Sequence, residues 1–372
     1  MKNKWKIADK IKLDGMIIEL SAPILLARSR RYGWFPSLTV LSNGDIIAMV
    51  SPVADRHFSA TVGMVYRSVD GGLTWNEPLV LVDGGWDSVQ LTNGDTIMLP
   101  YYLIPRGDSI GRACNVFRKD AVFPEYLEKG VWIKGWPKKP SSFAPDLNIA
   151  GFVFNGQSII GKDNTYLTTL YGKFEGVDRL SLVLAESKDG FEWKIRNIIA
   201  DGSVDLKGGD GPSESAICRL KDGRIMCIFR MGGFVPYGVS FSADDGFSWT
   251  RPISMADDML SVEPSLATIP DGPIVLSGGR PGIWLWINKE GNGVKWSKID
   301  MVSHHNKCLP EEPIVFSANF AKQMSSCYTE IVYLGDGIFL LVYDRIPHGW
   351  APIPPDSKDT NSVWVVQIKI KY

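Results

Sequence analysis

The chain has 372 residues, of which 45% are hydrophobic and 22% charged. These are ordinary values for a globular protein, and the length allows one large domain or two or three smaller ones. A net charge of −1 and the absence of any long basic run exclude a nucleic acid or another polyanion held by bulk charge. No stretch is long and apolar enough to suggest a membrane span, so no membrane partner is expected.

The N-terminal MKNKWKIADKIKLDG has lysines with no apolar run behind them, which does not read as a signal peptide. Cys114, Cys218, Cys227, Cys308 and Cys327 are odd in number and form no C-x-x-C pair. They read as reduced packing thiols of a cytoplasmic protein, the alternative being a secreted protein trimmed of its leader.

The first strand signal, LTVLSNGDIIAMV at 38–50, consists of two apolar runs around an Asn-Gly turn, the pattern of a β-hairpin. In SVDGGLTW (68–75), Ser68, Asp70, Gly72 and Trp75 suit a tight turn. Asp accepts from backbone N–H groups ahead of it, Gly takes positive φ, and Trp folds back as an apolar plug. SVQLTNGDTIMLP (88–100) repeats the hairpin, and residues 104–150, rich in Pro, Lys and aromatics, read as an irregular insertion. A weaker hairpin, SIIGKDNTYLTTLYG (158–172), precedes SKDGFEW (187–193), a shorter copy of the turn. AICRLKDGRIMCIF (216–229) is followed by the full copy SADDGFSW (242–249), and LATIPDGPIVLSG (266–278) by the degenerate NKEGNGVKW (288–296). EIVYLGDGIFLLVY (330–343) is the last hairpin. Hairpins at intervals of about 60 residues leave room for four strands each, and helical periodicity is missing. The expected fold is all-β: a six-bladed β-propeller of four-stranded blades, one domain over residues 1–372.

The Ser-Asp-Gly-Trp repeats resemble the Asp boxes of the sialidase superfamily, whose members are six-bladed propellers, over nearly the whole chain. In that family the boxes lie on outer turns far from the active site, so Asp70, Asp189 and Asp244 are expected to be structural. The resemblance implies a site made of a Tyr nucleophile, a Glu that takes its proton, an Asp acid/base and arginines that bind a carboxylate. Within GPSESAICRLKDGRIMCIFRMGG, Glu214 and Arg230 flank one hairpin and match the fourth-blade element. Arg280 in LSGGRPGIWLW and Tyr328 in SSCYTEIVYLGDG match the fifth and sixth, and Asp55 in SPVADRHFS falls where the acid/base loop belongs. A Tyr is a poor nucleophile near its usual pKa of about 10 and needs a carboxylate beside it. A guanidinium grips a carboxylate bidentately.

The family's first-blade Arg-Ile-Pro is replaced by YGWFPSLTV, with Trp34 in the place of the Arg. Arg31, or Arg28, is then the candidate to reach in from the preceding turn, while the Arg-Ile-Pro of YDRIPHGW puts Arg345 in the last unit. The implied activity is that of an exo-acting glycoside hydrolase on a terminal sugar, expected to be acidic, with a glycan or glycoside as partner and no cofactor. Two alternatives stay open. One is another glycan-active propeller enzyme, a lyase or a rhamnosidase-like hydrolase using His57 or His348. The other is a non-catalytic propeller that binds glycan or protein through Trp34, Trp86 and Trp350. No metal site is expected, since His304 and His305 would point to opposite faces of a strand.

Overall fold

The computed structural model describes residues 5–372 apart from 56–61, 83, 261, 318, 320 and 321. The chain is nearly all-β and runs through successive antiparallel meanders. The first is Trp34–Val40, Ile46–Ser51, Val62–Ser68 and Leu79–Val82. Two further separate four-stranded sheets run from Ser215–Arg219 to Ile253–Ser254 and from Ser265–Thr268 to Ser297–Asp300. The second meander starts at Asp87–Gln90, and the third ends at Glu192–Ala200. These two fuse into one ten-stranded sheet because Glu125–Lys134 pairs in parallel with Glu192–Ala200. In the last meander, Asn361–Lys371 pairs on one side with Ile338–Arg345 and on the other with the N-terminal Met16–Ser21, so the two chain ends share a sheet.

The hairpins follow from the Asx-Gly turns. Asn43 and Gly44 let the Leu41 N–H reach the Asp45 carbonyl at 2.8 Å, with Gly44 at φ 86° and the Asn43 side chain accepting from Asp45 N at 3.0 Å. The Ser-Asp-Gly-Trp turns join the third strand of a meander to the fourth. Asp70 Oδ1 accepts from Leu73 N and Thr74 N at 3.0 and 2.9 Å. Asp189 accepts from Phe191 N and Glu192 N in the same way, and Asn288 plays the part in the degenerate copy through Asn292 N and Gly293 N.

Packing between the meanders is cyclic. Among the described residues six apolar clusters form the core, each shared by two meanders. Leu41 and Met49 of the first meet Met98 and Phe117 of the second, and so on round to the last pair. There Ile46, Ala48 and Val50 of the first meet Leu340, Val342 and Val365 of the last. Burial of this kind contributes roughly 25 cal/mol per Å² of apolar surface and ties each sheet to both neighbours.

Two expectations need correction. The stretch 104–150 is not irregular throughout: Ser109–Phe117 and Glu125–Lys134 are the outer strands of the second meander, and in the latter the alternation is broken by the consecutive exposed Glu128 and Lys129 and the buried Gly130. His304 and His305 lie on a helix, Met301–Cys308, whose first turn is capped by Asp300 accepting from Val302 N and Ser303 N. Eight residues are too few for a visible helical period. Both rings are buried and occupied, His304 Nε2 with the Ser21 carbonyl at 2.8 Å and His305 with Tyr343 Oη at 2.9 Å.

The first strand of every meander faces a central cavity of about 810 Å³, lined among others by Thr39, Ser88, Ser158, Arg219, Thr268 and Glu330. Asp87 sits in its wall, buried, with Oδ2 lacking a partner among the described residues, and burial pushes its carboxyl up to about 6. A folded-state pKa above the ordinary 3.8 means that stability present below pH 3.8 is lost as pH rises through about 6. Asp87→Asn is therefore expected to stabilise the fold at pH 7.5 by on the order of 2 kcal/mol, a gain that vanishes near pH 4. Urea denaturation at both pH values checks this, and an equal change at the two would remove the titration argument.

Candidate functional site

Next to the central cavity, with Trp86 bordering both, is a smaller cavity of about 260 Å³. Its chemistry-bearing walls are Asp55, Glu214, Arg230, Glu263 and Tyr328. Strand ends deliver these groups. Glu214 immediately precedes Ser215–Arg219 and Arg230 immediately follows Ile225–Phe229. Because Ser215 pairs with Phe229, the two end up opposite each other, with Arg230 N donating to the Glu214 carbonyl at 2.8 Å. Tyr328 immediately precedes Thr329–Gly335 in the last meander and meets Glu214 and Arg230 from there.

Glu214 is the hub. Tyr328 Oη donates to its Oε1 at 2.5 Å, and Arg230 Nη1 donates to Oε1 and Oε2 at 2.8 and 2.9 Å. The backbone N–H of Glu263 completes the set at 3.0 Å to Oε2. Arg230 also donates to Tyr328 Oη at 3.0 Å and to Asp210 at 3.2 Å. Burial by itself would raise Glu214, but the Arg230 charge and these hydrogen bonds hold its carboxyl below the usual range. Tyr328 goes the other way: burial, then the Glu214 charge, pushes its hydroxyl well above 10. At rest the proton therefore belongs to the tyrosine.

The turn that presents Tyr328 is strained and tied down. Cys327 has φ 64°, a left-handed conformation costly for a non-glycine residue. Fully buried Asp344 holds it there by accepting from Ser325 Oγ and Ser326 N, both at 2.8 Å, and from Ser326 Oγ. Arg280 Nη2 donates to the Ser326 carbonyl at 2.7 Å, and its guanidinium carbon lies 5.3 Å from the Tyr328 ring centre.

The other sequence candidates divide. Asp55 is exposed on the cavity rim, and after burial its charge is what helps to push the Tyr102 hydroxyl up to about 12. Arg280 is buried against Tyr328 and Trp350 but does not line the cavity. Arg31 lies in a separate cleft beside Tyr32 and Val53, and Arg28 is paired with Glu312 at 2.6 Å. Arg345 Nε donates to the Pro313 carbonyl at 3.2 Å, away from the site. Trp34 is only 2% exposed, wedged edge-on between Tyr32 and Trp350. A register shift between Trp34 and Ser37 and a φ of 52° at Phe35 turn the next residue, Phe35, into the cavity instead, 4.6 Å edge-on from Tyr328. His348 is bonded to Asp359 at 2.7 Å on a loop outside the cavity, and His57 falls outside the described residues.

Sequence reasoning missed Phe35, Tyr101, Asn155, Tyr171 and Glu263. A signal for Glu263 was present. It stands two residues before the strand Ser265–Thr268, nearly where Glu214 stands before Ser215–Arg219, so superposing the repeats brings the two together.

No family model matches the chain, and no curated protein does. Solved structures match in fold. A Dyadobacter fermentans protein of unknown function is 17% identical at a TM-score of 0.68, over 95% of this chain and 99% of the other. A Hadza microbial sialidase is 14% identical at 0.61, over 91% of this chain and 65% of its own. The α-L-arabinofuranosidase of Fusarium graminearum, solved with arabinobiose, is 13% identical at 0.63, over 93% and 97%. The chain thus has a fold that glycoside hydrolases also use.

Proposed function

We propose that the chain is a six-bladed β-propeller acting as an exo-acting glycoside hydrolase on a terminal neutral sugar. Tyr328 is the nucleophile, Glu214 its base and Asp55 the acid and base at the leaving oxygen. The observation that carries the reading is the 2.5 Å bond from Tyr328 Oη to a carboxylate that Arg230 keeps ionised. The cyclic packing of six clusters supports the propeller, and sialidase and arabinofuranosidase fold neighbours support glycoside hydrolysis.

In the first step Tyr328 Oη bonds to the anomeric carbon while its proton passes to Glu214, and Asp55 protonates the departing oxygen as the glycosidic bond breaks. In the second, water attacks the same carbon and gives its proton to Asp55. The Tyr328 oxygen leaves and recovers its proton from Glu214. A volume of about 260 Å³, below the roughly 300–1,000 Å³ of drug-sized pockets, suits one sugar ring and hence an exo mode.

Charge favours a neutral sugar over the acidic one expected from the resemblance. Asp55 and Glu214 line the cavity with Arg230 as the one guanidinium among its lining residues, and Glu214 and Asp210 already neutralise that guanidinium. The arabinobiose bound in the arabinofuranosidase neighbour is a neutral sugar. A panel of chromogenic glycosides tests this: at least one neutral pentoside, deoxyhexoside or hexoside is expected to exceed a sialoside in kcat/KM by about tenfold or more, the worth of one lost charge-assisted contact. Preference for the sialoside, or turnover of nothing, removes the reading.

A further inference from the structure

Resting on the sugar-binding reading above, we propose that Glu263 is a substrate-binding residue whose carboxyl donates a hydrogen bond to one hydroxyl of the sugar held beside Tyr328. Glu263 lines the same cavity as Glu214 and Tyr328, and its backbone N–H is bonded to the Glu214 carboxylate, which locks the two residues into one frame. Its Oε1 accepts from Asn155 Nδ2 at 2.9 Å, and Asn155 is itself fixed, its Oδ1 accepting from Ser215 N at 3.1 Å. The carboxyl is therefore oriented by a rigid neighbour rather than by solvent. Its other oxygen takes no hydrogen bond from the described residues, and because Glu263 is half-buried and lines the cavity, that oxygen is left for a partner that enters it.

The group's protonation fits the role. Burial, then the charges of Glu214, Asp87 and Glu330, pushes the carboxyl well above the ordinary range. Unlike ionised Glu214, it keeps an O–H to give. Arg230, the cation bonded to its neighbour, directs its terminal nitrogens Nη1 and Nη2 to Glu214, Tyr328 and Asp210. A sugar hydroxyl is the matching acceptor, and Glu263, on the side of the central-cavity carboxyls Asp87 and Glu330, meets the terminal ring while Asp55 on the exposed rim faces the leaving group.

The test pairs variants with altered sugars and reads binding, not turnover. Calorimetry or ligand-observed NMR measures free L-arabinose, L-rhamnose, L-fucose, D-galactose and D-glucose, then each monodeoxy form of whichever binds, on wild type, Glu263→Leu and Glu263→Gln. In the wild type, removing one particular hydroxyl is expected to weaken binding by about tenfold or more. In Glu263→Leu the same removal should matter less than about threefold, while Glu263→Gln, which keeps a donor, should hold most of the wild-type ratio. A merely structural role would weaken every sugar equally and leave the deoxy ratios untouched, and that result overturns the proposal, as does binding of no sugar. Should Glu263→Leu fail to fold, Glu263→Ala replaces it in the same cycle. A protein that shows the expected ratios yet hydrolyses no glycoside loses the hydrolase reading and keeps this one. A hydrolase whose ratios ignore Glu263 does the reverse.

Discussion

Tyr328→Phe is expected to lower kcat by at least about three orders of magnitude while leaving the fold nearly as stable as before, because it removes the proposed nucleophilic oxygen and little else. The phenylalanine ring keeps the edge-on contact with Phe35 and the neighbourhood of the Arg280 guanidinium. What disappears is one hydroxyl that gives a hydrogen bond to Glu214 and takes one from Arg230. Arg230 remains bound to both Glu214 oxygens, so no charge is stranded, and the loss of stability should stay near 1 kcal/mol. Steady-state kinetics on the best substrate of the glycoside panel, with urea denaturation of the same preparation, measures both. If Phe retains more than a few per cent of wild-type kcat, Tyr328 is a packing residue that borders the site, and the nucleophile must be sought among the carboxyls.

The parts of this molecule that sequence made legible are those encoded by local chemistry. An Asn-Gly or Asp-Gly pair states a turn by itself, so the hairpins at Gly44, Gly94, Gly223 and Gly272 lie where their turn residues put them. Glu214 and Arg230 were legible for a related reason: they close the open end of one hairpin, and antiparallel pairing leaves them no choice but to meet. Tyr328 joins them from 98 positions beyond Arg230, which only the cyclic packing of the meanders brings about.

What stayed hidden depends on register or on tertiary environment. Whether Trp34 or Phe35 enters the cavity is decided by a one-residue shift between two strands, and nothing in YGWFPS announces it. Asp344 looks like any strand-end aspartate, yet it fixes the Ser325–Tyr328 turn from inside the core. Glu263 could be told from a surface glutamate only once Glu214, Asn155 and the central-cavity carboxyls Asp87 and Glu330 were placed near it.

Glu214→Gln should differ sharply from Tyr328→Phe, because it disturbs activity and stability together. The carboxylate accepts on both oxygens: Tyr328 Oη and Arg230 Nη1 at Oε1, Arg230 Nη1 and the Glu263 N–H at Oε2. An amide offers one oxygen and one NH2, so whichever way it is placed, an N–H faces donors that it cannot satisfy. Arg230, largely buried, also loses the nearer of its two carboxylates and keeps only Asp210 at 3.2 Å. Breaking a buried pair from one side typically costs about 3–5 kcal/mol, and since Arg230 retains 19% side-chain exposure and a second partner, about 2–3 kcal/mol is expected here. The rate should fall as well, by roughly 10²–10⁴, the range for loss of a general base, since the amide cannot take the Tyr328 proton. Glu214→Asp separates the two losses: it restores a charge for Arg230 and with it most of the stability, while drawing the base back from the 2.5 Å contact and leaving kcat low. Urea midpoints and kcat for the pair decide the matter. A Glu214→Gln protein as stable as wild type would mean that Arg230 does not depend on this carboxylate, and the ionised, arginine-held base on which the mechanism rests would go with it.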